Sequence, residues 1–181
     1  MLALDGYALT PPGAVMSRGQ LYAAVASRLD TVGPLRAVAA PHAATTAAAI
    51  NGTTYVSTVL PWTSARGEPW RGSSFTERTV GCLNDLRPFL RAQPRLVWGG
   101  DWNHTLEGSL HGQTRGGRTT LEDMLTELGL VAPTRSQPRG LHPMRSIDHV
   151  AVRGPVVGVE HHSAVVDGRR VSDHDLYVVT V

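Results

Sequence analysis

Asn51-Gly52 stands between an apolar run at residues 47–50 and a β-branched run at 53–60. An Asn-Gly pair in that setting specifies a two-residue type I′ hairpin, because both of its positions need positive φ. The chain is thereby committed to an antiparallel sheet, and other runs extend it. Residues 35–40 suit a strand ended by Pro41. Leu96-Val97-Trp98 reads as a buried strand that stops at Gly99-Gly100. Residues 145–153 alternate, with Ile147, His149 and Ala151 on one face and Ser146, Asp148, Val150 and Val152 on the other. Residues 156–166 and 176–181 read as two more strands, with Asp167-Gly168 as a hairpin turn.

Helical spacing appears in three places. Leu21, Val25, Ala26 and Leu29 share one face of a short helix over 21–29, while residues 1–20 show no clean period. Val80, Leu83, Leu86, Phe89 and Leu90 mark a helix to Arg91, capped by Ser74 or Thr76, with Pro88 set to kink or end it. Thr119 or Thr120 caps another through Leu128, closed by Gly129. Residues 63–74, 108–118 and 133–145 read as loops, the second carrying Arg115 and Arg118. Strands dominate, so the expected class is α+β: one domain over 1–181, two sheets face to face with helices outside.

Composition narrows the chemistry. At 181 residues with 41% hydrophobic content, the chain can bury a real core. Net charge is only +2, yet all 17 basic residues are arginine, so every basic contact for a ligand is a guanidinium, well suited to phosphate. The lone Cys82 excludes an internal disulfide and a cysteine-rich zinc site. No stretch is long and apolar enough to span a membrane, and Met1-Leu2-Ala3-Leu4 followed by Asp5 lacks a signal-peptide pattern, so a cytoplasmic location is expected.

Three segments end in acid, amide or imidazole groups: Asp101 with Asn103, Asp148 with His149, and Asp173 with His174. Each lies on or just beyond an apolar β run. A carboxylate beside an amide suits holding a hard cation or orienting water toward a phosphate. It equally suits an Asx turn, and both readings stand at this point.

Taken in order, GDWN at 100–103, SIDHV at 146–150 and SDHD at 172–175 resemble the endonuclease/exonuclease/phosphatase, or DNase I-like, superfamily. The resemblance covers roughly residues 35–181, with 1–34 poorly matched. It implies a two-sheet β-sandwich flanked by helices in four αββα layers, incomplete at its N-terminal side. It implies a phosphoesterase or nuclease-like hydrolase that uses Mg²⁺ or Mn²⁺ and water. Carried over, Asp101 would orient or deprotonate the water, Asn103 would hold the phosphate, and Asp173 would help bind the cation. His174, oriented by Asp148, would stabilise the phosphoryl charge. Arg115 and Arg118 become candidates for substrate phosphates, and the expected partner is a phosphate-containing substrate such as nucleic acid.

One part of the pattern is not found. The family opens with a strand ending in Asn and another ending in Gln-Glu, whose Glu binds the metal; Asp5, Asn51, Glu68 and Glu77 do not sit in matching contexts. Two alternatives follow: a truncated reading of a longer gene, or a whole chain with a degraded site acting as a binding module. A missing first strand would also leave an open sheet edge through which an oligomer could form.

Overall fold

A computed structural model of the chain describes residues 5–11, 14–16, 19–28, 34–110, 113–140 and 144–181. The elements run β1 (Tyr7–Leu9), β2 (Ala26–Arg28), β3 (Arg36–Val38), β4 (Thr45–Ile50), β5 (Thr53–Thr58), α1 (Phe75–Arg91), β6 (Leu96–Asp101), α2 (Arg115–Glu127), β7 (Asp148–Val152), β8 (Gly158–His162), β9 (Val165–Val166), β10 (Arg169–Arg170) and β11 (Leu176–Thr180).

The central sheet has the order β3-β4-β5-β6-β7. Its seed is the Asn-Gly hairpin: Asn51 and Gly52 have φ of 49° and 75°, and Ile50 pairs with Thr53. β6 joins β5 in parallel, which requires a crossover, and α1 supplies it. β7 then adds antiparallel to β6. Away from this sheet, β8 pairs with β11, β1 with β2 and β9 with β10. The result is α+β, as expected, with three two-stranded pairs beside the five-stranded sheet.

The core lies between one face of the central sheet and the two helices. Val56, Leu96, Trp98 and Ala151 meet Leu83, Leu86 and Leu90 of α1 and Leu121, Met124 and Leu125 of α2, all buried. Cys82 is buried there too, and burial pushes its thiol pKa up. The opposite sheet face, with Tyr55, Ser57, Val97 and Val150, is half-buried.

α1 starts where a capping box fixes it. Ser74 accepts a hydrogen bond from the Glu77 N–H at 3.1 Å, and the Glu77 carboxylate reaches back to the Ser74 N–H. Ser74→Ala is expected to cost about 1 kcal/mol in denaturant unfolding. An unchanged midpoint would remove the box from the account. The helix runs through Pro88 to Arg91, held by buried Leu86 and Leu90 on either side.

α2 differs from expectation. It begins at Arg115, capped by Thr114, whose hydroxyl accepts from the Gly117 N–H at 3.1 Å. Residues 115–118, expected as loop, are its first turn. That first turn lies against His104, and a Cβ on Gly117 would come within 2.4 Å of His104 Nε2. Glycine is there for closeness, not looseness. At the other end the Leu130 N–H bonds to Leu125 O and the Gly129 N–H to Thr126 O, the expected glycine closure.

The helix expected over 21–29 is not formed in its described part. Leu21 bridges Val15, and residues 26–28 are β2, paired with β1. So short a helix is marginal alone, and strand pairing supplied the hydrogen bonds instead. Leu29, Met1 to Leu4 and the loop residues 111–112 and 141–143 lie outside the described residues. No described helix is long and apolar enough to cross a membrane. The edge strand β3 has only three residues and begins with Arg36, features that discourage edge pairing. An oligomer through an open edge therefore finds no support among the described residues.

Candidate active site

β6 ends and β7 begins side by side. Asp101 and Asp148 are register partners, so both carboxylates leave the sheet on the face away from the helices. Gly100 makes that strand end fit. Its φ is +134°, and a Cβ there would stand 2.2 Å from Thr58 O of the neighbouring strand. Beyond it, Leu60 N–H donates to Asp101 O at 2.9 Å, and Asn103 Nδ2 donates to Leu60 O at 2.9 Å. The Asn103 N–H donates to Asp101 Oδ1 at 3.0 Å with Asn103 at φ 52°. This is the Asx turn of the plainer reading, and it aims the Asp101 carboxylate.

His174 arrives from the segment before β11. Its Nδ1 donates to both oxygens of Asp148 at 2.9 Å. That hydrogen bond, working against burial and aided by the charges of Asp148 and Asp101, raises the His174 pKa to about 8. Burial, then the charge of Asp148, pushes the Asp101 carboxyl up to about 6. One donor atom each of Asp101, Asp148 and His174 lies within 4.8 Å of the others. The structure thus brings together groups far apart in sequence.

The remaining sequence candidates are placed differently. The Asp173 side chain is 72% exposed, with Oδ2 3.8 Å from His174 Nε2, outside that trio. Arg115 is exposed on the first turn of α2. Arg118 is occupied: it donates to Thr105 Oγ1 and to the carbonyls of Gly108 and Ser109, clamping the loop after β6. His149 points to the helix side of the sheet, where it bonds His104 O and Thr134 Oγ1, and burial lowers its pKa to about 4. Trp70, in the 63–74 loop, is buried against His42, Trp62 and Tyr22.

No protein-family model and no curated protein matches the chain. Solved structures do. An AP endonuclease from Archaeoglobus fulgidus aligns over 97% of this chain and 79% of its own, with a TM-score of 0.68 and 19% identity. The 3′ phosphatase NExo from Neisseria, bound to a product DNA hairpin, aligns over 96% and 78%, at 0.64 and 17%. The endonuclease domain of TRAS1, a telomere-specific non-LTR retrotransposon, aligns over 98% and 81%, at 0.60 and 20%. The chain has the DNase I-like fold.

In this DNase I-like chain the carboxylates suit a hard cation. Asp101 and Asp148 face each other, and a positive ion between them would relieve the repulsion that helps raise Asp101. His174 Nδ1 is already committed to Asp148, and with a pKa of about 8 the ring is cationic at neutral pH, which makes it a poor metal ligand. Sequence reasoning missed Arg139 and Asp175. Arg139 sits in a run read as loop. Asp175 is the last letter of SDHD, and its partners, His161, Ala164 and Arg170, are visible only in three dimensions.

Proposed function

We propose that the protein is a divalent-cation-dependent phosphoesterase that cleaves a phosphodiester or phosphomonoester by attack of water. The observation that carries this is the convergence of the Asp148–His174 pair with Asp101 at one sheet rim. Above its pKa of about 6, Asp101 orients the water or takes its proton. Asn103 spends one amide hydrogen on Leu60 O and keeps the second for the phosphate. Asp148 fixes His174, so the cationic ring turns Nε2 toward a phosphoryl oxygen. A cation held by Asp101 and Asp148 would neutralise charge on the phosphate, with Asp173 reaching it through water. The likeness to an AP endonuclease and to a phosphatase bound to a DNA hairpin favours nucleic acid as substrate.

The test is hydrolysis of bis-p-nitrophenyl phosphate and plasmid DNA with Mg²⁺ or Mn²⁺, for wild type, Asp101→Ala and His174→Ala. Turnover that persists in both variants would sink the proposal. Activity is expected to rise as Asp101 ionises through about pH 6 and to fall as His174 loses its proton through about pH 8. Bound cation moves the acid limb lower. A flat profile from pH 5 to 9 contradicts these roles.

A second reading, a non-catalytic binding module, is favoured by the small donor set, since among the described residues two carboxylates join His174 in the trio. It predicts no turnover and no shift in melting temperature on adding Mg²⁺.

A further inference from the structure

We infer that Arg139 binds the same phosphoryl group as His174, as a second cationic arm of the site. The inference rests on the phosphoesterase reading and adds a residue to it. Asp173 Oδ2 lies 3.8 Å from His174 Nε2 and 3.7 Å from Arg139 Nη2. A single carboxylate oxygen is thus shared by two cationic donors from distant segments, the position a phosphoryl oxygen would take.

The two sides of this arrangement differ in freedom. The Asp173 side chain is 72% exposed and the Arg139 side chain only 15%. The acceptor can swing away while the donor stays. Arg139 Nε is buried with no partner among the described residues, and its Nη2 faces the exposed Asp173 carboxylate. Its charge already reaches the trio, being among the influences that pull the Asp101 pKa down. A planar guanidinium fork suits phosphate better than it suits one carboxylate oxygen at the limit of ion-pair distance.

The surroundings hold Arg139 in place. Tyr177 donates to Pro138 O at 2.7 Å, and the Arg139 N–H donates to Met144 O at 2.9 Å. Gly140 lies flat on the guanidinium of Arg170, where a Cβ would come within 2.2 Å of Nη1. Arg170 in turn donates to Asp175 at 2.8 Å, a buried carboxylate that also receives His161 Nε2 and the Ala164 N–H. Three donors thus converge on the Asp175 carboxylate and brace the bracket. His174 lies in the segment leading into β11, the strand that carries Tyr177, so both cationic arms are referenced to one strand.

The experiment measures stabilisation by inorganic phosphate, with Mg²⁺ present and chloride at matched ionic strength as control, for wild type, Arg139→Gln and Arg139→Lys. Hydrolysis of bis-p-nitrophenyl phosphate is measured alongside. Phosphate is expected to raise the wild-type melting temperature. Arg139→Gln should weaken the apparent phosphate affinity roughly 10- to 100-fold, the loss of a charge-assisted pair, with Arg139→Lys in between. Each variant is compared with itself without phosphate, so altered folding does not imitate the result. A wild type blind to phosphate, or an Arg139→Gln variant with the wild-type phosphate midpoint, overturns the inference. If turnover is absent but the phosphate response depends on Arg139, the catalytic reading fails and this one stands. If turnover depends on Asp101 and His174 but neither readout notices Arg139→Gln, the reverse holds.

Discussion

Asp101→Asn is expected to lower kcat on bis-p-nitrophenyl phosphate by about 10²- to 10⁴-fold, the usual range for a lost general base, while making the folded protein more stable above pH 6. The two effects share one cause. The Asp101 carboxyl is raised to about 6 from the ordinary 3.8, so the fold disfavours its ionised form. A group shifted that way contributes stability fully below pH 3.8 and loses it as pH climbs through 6. At pH 8 the wild type carries the whole penalty, on the order of 3 kcal/mol, and asparagine carries none. Asparagine keeps an oxygen for the Asn103 N–H, so the turn survives. Denaturant unfolding at pH 4 and pH 8 without divalent cations checks this. A variant less stable than wild type at pH 8 would mean that the carboxylate is not held under strain.

Gly100→Ala is the second large effect, and here the loss is structural. The new methyl would stand 2.2 Å from Thr58 O and 2.9 Å from Thr58 N, backbone atoms of the next strand that cannot rotate aside. The residue also holds φ +134°, where L side chains are strained. We expect a loss of at least about 3 kcal/mol, in the range reserved for steric clashes in a core. Activity should fall with it, because Asp101 follows directly. A soluble Gly100→Ala protein with the wild-type unfolding midpoint would show that β5 and β6 can part at no cost.

What was legible in the chain was local. Asn51-Gly52 announces its hairpin because two adjacent residues must both take positive φ, and few pairs accept that. Ser74 and Thr76 both offered a cap for α1, since Ser or Thr before an apolar periodic run marks a helix start, and the capping box with Glu77 decides for Ser74. The 21–29 helix failed for the converse reason: its apolar spacing fits two structures, and the deciding partner, Tyr7–Leu9, lies far upstream. The α2 start was misplaced because Gly116-Gly117 signals a loop unless one knows that His104 lies beneath it. Motif order, a resemblance that stands in for geometry, grouped Asp101, Asp148 and His174 as site candidates, and the structure does bring the three together. Arg139 has no motif. It is placed by Tyr177, Arg170 and Asp175, and contacts of that reach leave no trace in local spacing. Arg118 shows the same limit: its donors lie on Gly108 and Ser109, contacts that no local pattern foretells.

Trp98 and Trp102 bracket the glycines and Asp101, both fully buried, with ring centroids 4.2 Å apart and planes at 33°. Indole chromophores that close exchange excitation, and their transitions split into a paired circular-dichroism band of opposite signs. The amplitude of that band depends on the mutual angle of the rings, so it reads the shape of residues 98–102 directly. The protein therefore carries an intrinsic optical gauge at the strand end that presents Asp101, one that would fade on local opening before the helices melt.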